Sequence, residues 1–375
     1  MRVTIIRLVI ILIFTGTSGI ISAQDNNLRQ EGKIKFYNKA HFLIEGTTFP
    51  DSVKENSFDR FPLSTKEKVR PTIWNLSKAS AGISIRFLTN SSSISVKWEL
   101  MNDTKMSHMA ETGIKGIDLY CNVDDDWQYV NTAKPAGKTN EFQLINSMKP
   151  EMREFKMYLP LYDGVTNLEI GIDSLAQIVK PYAKNQKPVV FYGTSITQGC
   201  SASRPGMVHT NIISRKLNAE CINFGFNGNG KMEESVAEIM SDIDASFFVI
   251  DGTANMTPVE IHENAIPMVE IIREKHPSTP IVFVECLMFE KAFFEDSTRN
   301  FVNSRNNALK TEFEKMTSVG TSNLYYIENR DAIGSDHEAT VDGVHFTDLG
   351  YLRYADFLVS KFDELNLINT IKNEK

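Results

Sequence analysis

The sequence is poor in cysteine, in tryptophan and in basic charge. Four cysteines in 375 residues are too few for a disulfide scaffold. Forty Lys+Arg stand against 47 Asp+Glu, a formal net charge of -7. That balance argues against a polyanion partner, because phosphate binding calls for clustered Lys and Arg. No nucleic-acid partner is therefore expected. Beyond the N-terminus no apolar run approaches the roughly 20 residues that a spanning helix needs. No His-Glu-x-x-His or Cys-x-x-Cys occurs and the seven His are scattered, so neither a metal nor a cofactor is expected. Internal repeats and low-complexity tracts are also missing.

What is present reads as globular. Hydrophobic residues make up 42% and charged residues 23%, ordinary values for a chain with a real core. At about 150 residues per domain, the length suggests two domains. The first residues stand apart from both. Arg2 and Arg7 precede the apolar run Leu8 to Phe14, and small or polar residues follow as far as Ser22-Ala23. This is the layout of a secretory signal peptide over residues 1–23. The rival reading, an uncleaved anchor, needs a longer apolar run. The expectation is a secreted or periplasmic protein with no stable membrane insertion after cleavage.

Residues 24–185 are strand-like. Ile83-Ser84-Ile85-Arg86-Phe87 alternates, as does Ile94-Ser95-Val96-Lys97-Trp98, with Asn90 to Ser93 between them. The pattern predicts an antiparallel hairpin with one wet face, inside a β-sandwich of short strands. Trp74, Trp98 and Trp127 all fall here and read as core aromatics rather than a sugar-binding surface.

Residues 186–375 alternate strand and helix. Val189 to Tyr192, Ile222 to Phe224, Phe247 to Ile250, Ile281 to Val284 and Leu324 to Ile327 are mostly continuous apolar runs. Such runs suit strands buried on both faces of a parallel sheet. Thr257-Pro258-Val259-Glu260 opens a helix with a capping box, which Pro267 should kink or split. Tyr351, Ala355, Leu358, Phe362 and Leu365 recur at helical spacing. The expected domain is a three-layer α/β/α fold on a five-stranded parallel sheet.

Ligands of open parallel sheets bind beyond the carboxyl ends of the strands. Four candidates fall there in order. Ser195 lies in Gly193-Thr194-Ser195, at a strand-to-helix turn where its N–H suits an oxyanion. Gly225-Phe226-Asn227-Gly228-Asn229-Gly230 follows the second strand as a loop with exposed amides. Asp251-Gly252-Thr253-Ala254-Asn255 follows the third. Asp342 stands three residues ahead of His345, close enough to orient its imidazole and leave the other nitrogen as a base. Arg204, on the loop after Ser195, is a candidate contact for a polar or anionic substrate, weighed against plain surface charge. His209 and His262 read as structural. Cys121 falls in the first domain and Cys200, Cys221 and Cys286 in the second. None has a base nearby in sequence, so none reads as a nucleophile.

Taken together, Ser195, Gly228, Asn255 and His345 resemble the four marker residues of the SGNH (GDSL-type) hydrolases. Tyr192-Gly193-Thr194-Ser195 resembles the first block, with Thr194 where that family has Asp. Asn223 to Gly228 resembles the second, Asn255 the third-block Asn, and Asp342-Gly343-Val344-His345 the fifth. Gly116-Ile117-Asp118-Leu119-Tyr120 is similar to the Gly-x-Asp-Leu-Tyr segment of a β-sandwich found ahead of some secreted members. An α/β-hydrolase elbow is not matched, since Thr197 stands where its second Gly would be.

The resemblance implies a flavodoxin-like catalytic domain behind a jelly-roll-like domain. It also implies a Ser195-His345-Asp342 triad and an oxyanion hole of the Ser195 and Gly228 amides with the Asn255 side chain. The expected activity is hydrolysis of acetyl or other short acyl esters, on an acylated carbohydrate or another small ester. The alternatives are a lipase, lysophospholipase or thioesterase on the same fold, or a catalytically decayed glycan-binding protein.

Overall fold

A computed structural model describes residues 33–371. The expected signal peptide, residues 1–23, lies outside the described residues. Residues 34–179 form two antiparallel sheets. One orders the strands Ile34–Tyr37, Val165–Asp173, Ile94–Leu100 and Thr139–Ile145. The other orders Ile178–Val179, Ser84–Thr89, Arg153–Tyr158, Ile117–Val123 and Asp126–Ala133, with Leu43–Glu45 also on Ser84–Thr89. Ile85, Phe87, Val96, Trp98, Leu119, Met157 and Ile170 share the core of this half.

The expected hairpin is not formed. Ser84–Thr89 and Ile94–Leu100 lie in different sheets. Asp173 is the reason. Its carboxylate accepts from Ser91 Oγ, from Ser92 N–H and Oγ, and from Ser93 Oγ at 2.7–2.9 Å. The connecting residues therefore form a corner that carries the chain from one sheet to the other. Alternation identifies an inward face, but both sheets of a sandwich share that face, so it does not identify the partner.

The second half holds β1 (Val189–Gly193), α1 (Ser195–Gln198), α2 (His209–Leu217), β2 (Cys221–Gly225), α3 (Glu234–Ser241) and β3 (Phe247–Asp251). It continues with α4 (Pro258–Lys275), β4 (Ile281–Val284), α5 (Asp296–Ser318), β5 (Leu324–Ile327) and α6 (Asp348–Glu364). The sheet is parallel in the order β2-β1-β3-β4-β5. Successive strand residues face opposite layers. Val189, Phe191 and Val249 pack with Ile212, Tyr351 and Phe362. Val190, Tyr192 and Phe248 pack with Val236, Met268 and Leu309. Both faces are covered, which is why the strands read as unbroken apolar runs. Helix α4 runs through Pro267 without splitting. Ile261, Ala265, Met268 and Val269 are buried on either side of the proline, at about 1.5–3 kcal/mol for each large side chain. That packing offsets the hydrogen bond lost at the ring.

The two halves share core. Phe61, Ile73 and Trp74 belong to one core cluster of the α/β half, and Ala81, Ile114 and Leu161 to the other. Arg60 is fully buried and donates to the carbonyls of Asn223 (3.0 Å), Gly225 (2.8 Å) and Leu76 (2.6 Å). These carbonyls meet its Nη donors, as a buried guanidinium requires, while the buried Nε has no partner among the described residues.

Candidate active site

Strand register sets the level of the site. Gly193 pairs with Gly225 on one side and Asp251 on the other. The loops that leave β1, β2 and β3 therefore start from one row, and Ser195, Gly228 and Asn255 emerge along one rim. Close contact between the first two loops requires glycine. A Cβ on Gly225 would lie 2.1 Å from the backbone nitrogen of Gln198. Gln198 Oε1 in turn accepts from Asn227 N–H at 2.9 Å.

Ser195 is the first residue of α1, and the Thr194 hydroxyl caps that helix by accepting from Ile196 N–H. The position of Ser195 puts its own N–H among the unpaired donors of a helix start. From behind, Tyr351 of α6 donates to the carbonyls of Ile196 (3.1 Å) and Cys200 (2.8 Å).

Ser195 Oγ lies 3.0 Å from His345 Nε2. His345 Nδ1 lies 2.8 Å from Asp342 Oδ2. Asp342 Oδ1 accepts from the backbone N–H of His345 (2.8 Å) and Val344 (3.1 Å), so the Asp-x-x-His turn holds its own carboxylate. Burial acts to raise the Asp342 pKa, but the bonds from His345 and Val344 keep it below the usual carboxylate range. His345 is raised to about 9. The Cys200 sulfur contributes most, burial opposes it, and Asp342 adds to the rise.

Gly228 is exposed, has φ +67°, and has nothing within 4 Å of where a Cβ would stand. That left-handed backbone favours glycine. The amide orientation of Asn255 that satisfies both its ends has Oδ1 accepting from Asn229 N–H (3.0 Å) and Gly230 N–H (3.3 Å). The Nδ2 donor then takes the position that faces acceptors.

A small hollow of about 10 Å³ is lined among others by Ile196, Ala254, Gly343 and Val344, chain neighbours of Ser195, Asn255, Asp342 and His345, which do not line it themselves. It shares Leu287, Met288, Phe289 and Ile333 with an open cleft of about 670 Å³. Phe293, 76% exposed, stands on the wall of that cleft.

Arg204 has another occupation. Its Nη1 donates to Asp118 (2.7 Å) and Tyr120 Oη (2.6 Å), and its guanidinium lies 4.0 Å over the Tyr129 ring. Asp118 and Tyr120 are the acidic and aromatic members of Gly116-Ile117-Asp118-Leu119-Tyr120, so that motif braces the two halves. His209 is buried, and desolvation drives its pKa down to about 3. Trp74 and Trp98 are buried and Trp127 is half-buried.

All four cysteines are free and buried. No cysteine has a base nearby in sequence, but the fold brings two histidines to Cys200. Its sulfur is 3.3 Å from His108 Nε2, and the His108 and His345 rings are 5.6 Å apart. Distance in sequence hid both neighbours. His108 lies on the loop before the short helix Glu111–Lys115, in the β-rich half, and nothing in its local pattern marks it.

Residues 186–363 match the GDSL-like Lipase/Acylhydrolase family, and residues 34–178 match the N-terminus of Esterase_SGNH_hydro-type, GxDLY. Among solved structures, a candidate GDSL-like lipase from Bacteroides ovatus ATCC 8483 is 36% identical, with TM-score 0.85 over 92% of this chain and 100% of that one. The salicylyl-acyltransferase SsfX3 of a tetracycline biosynthetic pathway is 14% identical, with TM-score 0.75 over 90% and 99%. An acetyl xylan esterase, Est2A, from the rumen bacterium Butyrivibrio proteoclasticus is 11% identical, with TM-score 0.56 over 89% and 100%. The last two likenesses are of fold alone. No curated protein matches the sequence.

Proposed function

The chain belongs to the GDSL-like lipase/acylhydrolase (SGNH) family, and on that premise we propose that it is a serine esterase removing acetyl or another short acyl group from a carbohydrate. One observation carries the reading: the unbroken chain from Ser195 Oγ through both nitrogens of His345 to Asp342, at 3.0 and 2.8 Å.

In this mechanism His345 Nε2 takes the Ser195 proton as Oγ attacks the ester carbonyl. Asp342 holds the proton on Nδ1 and stabilises the imidazolium. The developing oxyanion is met by the Ser195 and Gly228 amides and by Asn255 Nδ2. Collapse breaks the ester bond, and His345 returns its proton to the leaving alcohol. Water, deprotonated by His345, then attacks the acyl-enzyme and frees the acid and Ser195. These steps use only groups of the chain and water.

The open cleft suits the alcohol part, and Phe293 offers a ring face to a sugar. The fold shared with an acetyl xylan esterase agrees with an acetyl ester. Residues 1–23 support work outside the cytoplasm.

The test is acetate release from acetylated polysaccharides by the wild type and Ser195→Ala, beside a chain-length series of p-nitrophenyl esters. Release that needs Ser195, with the shortest acyl fastest, supports the reading. A preference for long acyl chains returns the protein to the lipase alternative.

A further inference from the structure

We propose that His108, Cys200 and His345 form a site for a soft divalent cation of the zinc class, and that filling it switches the esterase off. One ligand atom from each of the three lies within 4.8 Å of the others. Cys200 Sγ and His108 Nε2 are 3.3 Å apart. Zinc bonds of about 2.3 Å to sulfur and about 2.0–2.1 Å to nitrogen imply a tetrahedral S···N edge of roughly 3.5 Å. That edge is nearly in place.

The donor types agree. One thiolate and two imidazoles favour zinc over the hard cations, which take oxygen. Three protein ligands leave a fourth position for water. The second shell agrees as well. A metal-binding histidine commonly gives its other N–H to a carboxylate, and His345 Nδ1 already faces Asp342 at 2.8 Å. Cys200 is held on a rigid frame, its N–H on the Ser195 carbonyl (2.9 Å) and its carbonyl on Tyr351 Oη (2.8 Å). The sulfur is buried, but both histidines are partly exposed, so an ion has a route in.

The inhibitory consequence follows from the nitrogen used. With Nδ1 held by Asp342, the ion takes His345 Nε2, the atom that faces Ser195 Oγ at 3.0 Å. A lone pair given to a metal cannot accept the serine proton. A metal displaces to solvent whatever protons its ligand atoms hold, so affinity rises with pH. No redox step is involved. The inhibitory part rests on the esterase reading; the binding part does not.

Cobalt(II) titration of the whole protein tests the binding directly, because a thiolate-to-cobalt charge-transfer band reports the sulfur. The expected result is a band that saturates at one ion per chain. It should vanish in Cys200→Ala, need about tenfold or more cobalt in His108→Asn, and persist in Ser195→Ala. Zinc should displace the cobalt. In the same concentration range zinc should abolish p-nitrophenyl acetate hydrolysis, with recovery on EDTA, and His108→Asn should need about tenfold or more zinc. His108→Asn changes a partly exposed loop residue, so it serves even if Cys200→Ala folds poorly. Absence of the band, or an undiminished band in Cys200→Ala, overturns the site. Equal zinc sensitivity of wild type and His108→Asn overturns the switch. An enzyme with no esterase activity refutes the proposed function instead, and the cobalt spectrum still decides the site.

Discussion

Asp118 Oδ2 lies 2.7 Å from Arg204 Nη1, across the junction of the β-rich and α/β halves. The same oxygen accepts from Gly206 N–H at 2.7 Å, and Oδ1 accepts from Thr132 Oγ1 at 2.6 Å. Asp118 has no exposed surface. Removing it strands a largely covered guanidinium and a buried N–H. Asp118→Ala should cost about 3–5 kcal/mol of stability, read as a fall in the denaturant midpoint. Arg204→Ala should act on the same midpoint, with KM for small esters little changed. A large rise in KM with unchanged stability would return Arg204 to a substrate role.

Activity should rise with pH. In the proposed mechanism the imidazolium cannot take the serine proton, so only the neutral form of His345 would be active. Because Cys200 and Asp342 favour the imidazolium and hold the pKa at about 9, kcat/KM should climb through that region rather than level off near neutrality. A pH–rate profile of p-nitrophenyl acetate hydrolysis, corrected for the spontaneous reaction, checks this. In Cys200→Ala the limb should move to lower pH, because the largest influence raising the pKa is gone.

Asn255→Ala should lower kcat by about 10²–10³ with KM nearly unchanged, as expected for a donor that acts on the transition state. Steady-state kinetics on a short acyl ester decide it. A change confined to KM would place Asn255 in ground-state binding.

Thr194→Asp should keep turnover within a few-fold, because Asp caps a helix start as well as Thr does. Thr194→Val should lose about 1 kcal/mol of stability with the cap, seen in thermal or urea unfolding. Loss of activity in both variants at unchanged stability would mean that the threonine does more than cap.

The legible parts of the chain were those whose signal is local. The five parallel strands could be read because burial on both faces leaves unbroken apolar runs. The Asp342–His345 turn could be read because its partners lie three residues apart. The hairpin expectation failed at Asp173, which captures Ser91, Ser92 and Ser93 from far along the chain. Pro267 failed to split α4 because the residues flanking it are pinned in the core. His108 was out of reach altogether: a partly exposed loop histidine becomes a neighbour of Cys200 only when the two halves close on each other.

The shared core has a consequence for ancestry and for engineering. Phe61, Ile73 and Trp74 pack among the residues behind β1 and β2, and Arg60 fastens the carbonyls of Asn223 and Gly225. The β-rich half is thus part of the floor beneath the rim that carries Gly228. Transplanting either half from a relative would exchange one side of a continuous interior without its complement. Recombination between such proteins should succeed at outer loops and fail at residues 180–188, the stretch between the strand Ile178–Val179 and β1.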